Sequence, residues 1–227
     1  MLKPGPTGGT QNRLRRGDYR PELPEVETVR RTLEPFVLQR PIGDVEIYYE
    51  RILQNVKPQE FMAALVSDSF TSITRRGKYL LFTLGSGLIM VTHLRMTGRL
   101  IAVSSPEVPI EKHTAVIFKF TDGTELRFVD QRKFATIDLL PEDRLTEVRG
   151  LREMGPEPLS DEFTAEGLQV ALKGRKAPIK TILLDQRRIA GLGNIYADEA
   201  LFAAGIHPAR PGGEITSAEV DRLYSAI

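Results

Sequence analysis

Apolar and polar positions follow a helical period at both ends of the chain and a two-residue period between them. Val26, Val29 and Leu33 recur at helical spacing directly after Pro21-Glu22-Leu23-Pro24-Glu25, which predicts a helix from about Pro24 that ends by Pro35. Pro24 suits a first turn, and Glu22, Glu25 and Glu27 sit at the positive end of the helix dipole, with Arg30 and Arg31 further along. Val45, Ile47 and Tyr49 then alternate with Asp44, Glu46 and Tyr48. Segments 78–84 and 88–94 flank Gly85-Ser86-Gly87, and Val116, Phe118 and Phe120 lead through Asp122-Gly123 into 125–129, two hairpin signals. Segment 134–140 reads as one more strand. Many short strands with turn signals predict a β-sandwich or barrel.

Between Pro141 and Pro158 the chain becomes acidic and rich in Pro and Gly, which places a domain boundary near residue 150. Helical spacing returns over 164–172, 178–187, 195–204 and from Thr216 onward. Thr216 and Glu219 form a capping box, and Val220, Leu223 and Ile227 an apolar stripe. No Gly, Asn or Pro ends that stripe, so the helical unit is expected to be incomplete in this sequence. The expected fold class is therefore α+β: an N-terminal β-sandwich with a leading helix over 21–150, then a truncated helical domain over 151–227. Residues 1–20, dominated by Gly, Pro, Thr and Arg without a period, are expected to form a disordered tail, a cloning scar or the product of a misplaced translation start.

Composition narrows the class. Hydrophobic residues at 41% and charged residues at 27% of 227 are those of an ordinary globular protein, and no apolar run is long enough to span a bilayer. A cytoplasmic location and no membrane partner are expected. The sequence has no cysteine, which excludes disulfides and thiolate metal sites within it. The net charge of +1 divides unevenly: residues 1–20 hold five basic residues and Asp18, leaving 26 basic and 29 acidic residues beyond them. A nucleic-acid surface must then be local, and Arg75-Arg76-Gly77-Lys78, Arg132-Lys133 and Lys173 to Lys180 are the visible patches.

Several residues admit both a bland and a chemical reading. Lys78 at the start of a hairpin strand is ordinarily a solvated edge lysine. Met96 in His93-Leu94-Arg95-Met96-Thr97-Gly98 is ordinarily a core or loop methionine, Arg132 and Phe134 a charged turn beside a buried aromatic, and His113 a surface histidine. No second His or carboxylate stands at metal-ligand spacing from His113. Lys173, Arg175, Lys176 and Lys180 run without an acid until Asp185, as a solvated helix start or a phosphate-contacting patch. Gly191 and Gly193 permit a tight turn, Asn194 can cap the following helix, and free amides there would suit a phosphate.

Two long strings decide among these readings. Pro21-Glu22-Leu23-Pro24-Glu25-Val26-Glu27-Thr28-Val29-Arg30-Arg31 resembles the N-terminus of bacterial formamidopyrimidine-DNA glycosylases, and Ile189 to Pro208 resembles that family's helix–two-turns–helix motif. The resemblance spans 21–227 in family order. It implies base-excision repair: removal of oxidised purines (8-oxoguanine, formamidopyrimidines) from duplex DNA, with β-elimination through a Schiff base on the N-terminal proline. Carried over residue by residue, Pro21 is the nucleophile, Glu22 the acid/base, and Lys78 a phosphate contact and proton donor. Met96, Arg132 and Phe134 fill the void left by the extruded nucleotide, and His113, Arg175, Lys176, Lys180 and Asn194 contact DNA.

The sequence departs from the family pattern in three places. Arg20 stands where the family has Met, and Ala135 where it often has Gly. The four-cysteine finger that binds one structural zinc in the family has no counterpart, so no cofactor is expected here. Two alternatives follow: a non-catalytic damaged-DNA-binding remnant, because Pro21 is acylated by Arg20, and the endonuclease VIII type, which acts on oxidised pyrimidines but opens Pro-Glu-Gly-Pro where this chain has Leu23. Double-stranded DNA with an oxidised purine or abasic site is the expected partner, and a monomer the expected state.

Overall fold

The computed structural model describes residues 21–227, so the tail expected over 1–20 lies outside the described residues. Eight strands form two four-stranded antiparallel sheets. One has the order β1 (Ile42–Ile47), β6 (Thr114–Phe120), β7 (Glu125–Asp130), β5 (Gly98–Val103), and the other β2 (Phe70–Arg76), β3 (Tyr79–Leu84), β4 (Leu88–His93), β8 (Thr136–Pro141). They pack as a sandwich around a core that contains Phe61, Phe70, Phe82, Phe118 and Phe128. Phe70 sits 5.2 Å from Phe82 and 5.9 Å from Phe118 by ring centroids, tilted or edge-on, which suits the aromatic quadrupoles.

Among the described residues, seven α-helices complete the fold. Helix α1 (Leu23–Val37) packs on β2 and β5, the edge strands of the two sheets, and so closes one side of the sandwich. It runs two residues past the predicted end. Pro35 lies in its last turn, where Leu33 and Val37 are buried in the core and offset the hydrogen bond that proline cannot make. Helix α2 (Pro58–Leu65) packs on β1 through Phe61 and Leu65. The linker with α3 (Arg149–Arg152) covers the outer face of the second sheet, where Tyr79, Leu81, Val91 and Leu140 meet Leu145, Val148, Leu151 and Met154. Strand β3 therefore reads as the near-continuous apolar run Tyr79-Leu80-Leu81-Phe82 instead of alternating.

The second core joins α4 (Ala165–Leu172), α5 (Ile179–Leu183), α6 (Asn194–Ala204) and α7 (Ser217–Ala226). Thr164 caps α4, and Thr216 with Glu219 caps α7 as the sequence pattern predicts. Helix α5 is half the predicted length, because residues 184–193 turn back to place the Gly191-Leu192-Gly193 segment against the start of α1. Ala197, Ala200 and Ala204 give α6 a small-residue face, and Gly205 ends it at φ 69°. Among the described residues, no helix is long and apolar enough to cross a membrane.

Candidate active site

Pro21 and Glu22 are both buried at the entry to α1, and the turn before α6 is built around them. The Leu23 N–H donates to the Gly191 carbonyl at 3.1 Å. The Glu22 carboxylate, 3% exposed, accepts from the N–H groups of Ile195 and Tyr196 at 2.9 and 3.3 Å. It caps α6 from 173 residues away in sequence and lies at the positive end of that helix. Two sequence expectations change here. Asn194 is exposed at the first position of α6, with Gly193 as the N-cap, so Asn194 does not cap the helix. Two of the amides expected to be free for a phosphate are taken by a protein carboxylate.

Gly193 makes this closeness possible, since a Cβ there would overlap the Glu22 carboxyl group. Gly191 sits at φ +84° beside the Leu23 side chain, a conformation and a gap that favour glycine.

Lys78 occupies the turn between β2 and β3, half-buried, and its Nζ donates to the Leu192 carbonyl at 3.1 Å. Burial lowers its pKa, against the attraction of the Glu22 and Glu25 carboxylates. It is therefore not a solvated strand-edge lysine but is held by the same turn that holds Glu22. Glu25 completes the cluster. One of its oxygens accepts the Glu22 N–H at 3.0 Å and the other the Tyr196 hydroxyl at 2.9 Å. Burial first, and then this hydrogen bond, push the Tyr196 phenol up to about 12, so it stays a donor. Gln186 pins the turn by donating to the Leu192 carbonyl at 2.7 Å and accepting from Gly191 N–H at 2.9 Å.

A buried carboxylate and a half-buried amine thus converge on one turn, with a buried proline next to the carboxylate in sequence, a setting for nucleophilic and proton-transfer chemistry. Glu25, Tyr196 and Gln186 were not recognisable from the sequence, because their partners lie in distant segments. Glu25 alone had a signal, its spacing of three from Glu22.

The expected basic patches fare differently. Arg75 is bound to Glu27 at 3.2 Å and Glu157 at 2.9 Å, and Arg76 donates to the Gly155 carbonyl at 2.9 Å. That patch is neutralised internally and ties the Lys78 turn to α1 and the linker. Lys180 pairs with Asp198 of α6 at 2.7 Å, an acid that the local run does not reveal. Arg132, Lys133, Arg175 and Lys176 are exposed. Phe134 is 53% exposed with the Arg132 guanidinium 5.1 Å from its ring centroid, so it is a projecting aromatic and not the buried neighbour of a charged turn. Met96 and His113 are half-buried in neighbouring loops. The zinc of the resembled family finds no fit: the sequence has no cysteine, and among the described residues no three His, Asp or Glu come together.

Comparison with known proteins gives the family and the fold. The family model of the formamidopyrimidine-DNA glycosylase N-terminal domain matches residues 20–137, and that of the H2TH domain of the same enzyme 154–227. The formamidopyrimidine-DNA glycosylase of Symbiobacterium thermophilum is 54% identical over 207 residues, 91% of this chain and 67% of that protein. That of Moorella thermoacetica is 46% identical over 91% of this chain and 75% of its own length. Among solved structures, the Lactococcus lactis enzyme non-covalently bound to DNA containing an AP site superposes with a TM-score of 0.85 at 35% identity, covering 90% of this chain and 78% of that one. The same enzyme bound to DNA with a FAPY-dG lesion gives the same score and identity over 90% and 76%. With both domains matched in order and the Pro21–Glu22 pair lodged at the helix turn, the chain belongs to the formamidopyrimidine-DNA glycosylase family.

Proposed function

We propose that this protein, with Pro21 freed as its N-terminal residue, is a DNA glycosylase and AP lyase that removes oxidised purines (8-oxoguanine, formamidopyrimidines) from duplex DNA through the nitrogen of Pro21. The observation that carries the reading is that Glu22 and Lys78 both bond the 191–196 turn, with Pro21 buried next to Glu22. Lesion or abasic DNA is the substrate by analogy with the Lactococcus lactis complexes.

The Pro21 secondary amine attacks C1′ of the damaged nucleoside. The C1′–N bond breaks, the base leaves with a proton, and the sugar ring opens to an iminium. The proton that the attacking amine gives up passes through Glu22 to the ring oxygen, and the departing base takes its proton from water. The Glu22 carboxylate is aligned by the two α6 amides, so no reorganisation is needed at that moment. Loss of a C2′ proton then expels the 3′-phosphate, with Lys78 beside the phosphate as donor. Met96, Arg132 and Phe134 enter the stack in place of the extruded nucleotide, where an apolar wedge and a guanidinium replace part of the lost stacking and pairing. His113, Arg175, Lys176 and Asn194 hold the backbone, and Lys180, paired with Asp198, is left out of that set.

The chemistry requires a free amine. In the sequence Arg20 acylates Pro21, and an amide lone pair is delocalised and not nucleophilic. The test is borohydride trapping on an oligonucleotide with an abasic site. The 227-residue chain is expected to give no covalent adduct, and a version beginning Met-Pro21, after methionine removal, to give one. Absence of an adduct from the trimmed version refutes the amine mechanism. Binding of abasic duplex without trapping by either version would favour a damaged-DNA-binding protein, the reading that the acylated Pro21 supports.

A further inference from the structure

We propose that Asp130 is the positioning residue whose carboxylate locks the 94–98 and 131–135 loops of the sandwich to each other, beside the 111–114 loop that its backbone N–H holds, and through them sets the extrusion of the damaged nucleotide. The proposal rests on the assignment of Met96, Arg132 and Phe134 as the void-filling set. Asp130 ends β7 and is 2% exposed. Its Oδ1 accepts the hydroxyl of Thr97, the residue after Met96, and the Arg132 N–H at 3.2 Å. Its Oδ2 accepts the Ala135 N–H, next to Phe134, at 2.8 Å. Its own N–H donates to the His113 carbonyl at 3.0 Å. The loops are also joined directly, since Arg132 N–H donates to the Thr97 hydroxyl oxygen at 3.0 Å.

A second observation comes from the backbone. Each of the three loops has one non-glycine residue in the left-handed region: Arg95 at φ 56°, His113 at 73° and Lys133 at 59°. L-residues persist there only when their surroundings hold them, and such positions gather at functional clamps. Asp130 is the shared support. A carboxylate suits the place because all three groups aimed at it donate, so an amide nitrogen in either position would face a donor.

The test uses the full chain with Asp130→Asn and Thr97→Val. Amide hydrogen exchange is followed over 94–98, 111–114 and 131–135. Extrusion is followed by the fluorescence of 2-aminopurine placed opposite an abasic-site analogue in a duplex, and affinity for undamaged duplex by anisotropy. In Asp130→Asn, exchange is expected to accelerate about tenfold or more in 94–98 and 131–135, whose donors bond the carboxylate, while 111–114, held by the backbone N–H that the variant keeps, and the second sheet stay unchanged. The fluorescence rise slows roughly 10²-fold, while binding to undamaged DNA holds, because Arg175, Lys176 and Asn194 lie in the other domain and the His113 loop keeps its backbone bond. Parent-like extrusion, or acceleration confined to 131–135, overturns the proposal. Should Asp130→Asn fail to melt cooperatively, Thr97→Val decides, since it leaves the carboxylate and both its amide bonds in place and removes only the two hydrogen bonds of the Thr97 hydroxyl. If the parent itself gives no fluorescence rise, the void-filling assignment fails, and the exchange pattern still decides whether the Asp130 carboxylate locks the two loops.

Discussion

Gly193→Ala isolates the contact that joins the two domains at the site. The backbone at Gly193, φ −128° and ψ −166°, is open to any residue, so alanine adds no backbone strain. Its Cβ would instead overlap the Glu22 carboxyl group, and that group cannot retreat without losing the Ile195 and Tyr196 amides. A hydrogen bond to a charged group contributes about 1.5–3 kcal/mol, and a carboxylate at a helix N-terminus adds about 0.3–1 kcal/mol. Partial retention through a sideways shift brings the expected loss to about 2–4 kcal/mol, a fall in Tm of roughly 5–15 °C for a chain of this size. Calorimetry of the full chain measures it. Borohydride trapping with the version that begins at Pro21 measures the chemical consequence, a loss of adduct well beyond the loss of fold. A variant that melts within about 2 °C of the parent would refute the contact as a source of stability. One that traps abasic DNA at the parent rate would refute the alignment of Glu22 by α6.

Two other outcomes follow from the charges. His93 is held down to about 3 by burial first and then by the Arg95 and Lys78 cations, and its Nδ1 accepts the Arg95 N–H at 2.9 Å. Below its ordinary value of 6.5 the unfolded chain takes up a proton that the folded chain refuses, so stability falls as pH drops from 6.5 towards 3, by up to about 1.4 kcal/mol per pH unit. Melting scans across that window should show a shallower slope for His93→Gln than for the parent, and parallel slopes would sink the assignment. Arg75→Met leaves Glu27 and Glu157 without their shared cation and should cost about 2 kcal/mol by denaturant titration. It should also loosen the Lys78 turn, and unchanged stability would show that the network is only a surface arrangement.

The sequence by itself determined the elements whose signals are local. The alternation at Val116, Phe118 and Phe120, the Gly85-Ser86-Gly87 and Asp122-Gly123 turns, and the Thr216–Glu219 capping box lie within a few residues of what they shape, and their elements stand where the pattern puts them. The long strings at Pro21 and Ile189 likewise identified the family, and with it the candidate residues. Local signals failed where burial from elsewhere overrode them. Pro35 does not end α1, because Val37 has a core to enter. Strand β2 is not legible in the sequence, since polar residues separate Phe70 from Ile73, and β5 and helix α2 carry only the short apolar runs 100–103 and 61–65, which periodicity alone does not assign to strand or helix.

Tertiary structure alone decided the charges. Whether a basic residue is available to a polyanion depends on which acid the fold brings beside it. Arg75 and Lys180 proved to be paired with Glu157 and Asp198, and Lys173 to Lys176 remained exposed. The α6 amides that looked free belong to Glu22, and the cluster of Glu25, Tyr196 and Gln186 has no sequence signature as a unit. Hydrogen bonds and desolvation act over a few ångströms in space, whereas periodicity and motif act along the chain. A site assembled from residues 21–25, 78 and 186–196 becomes legible only when folding has removed the sequence distance between them.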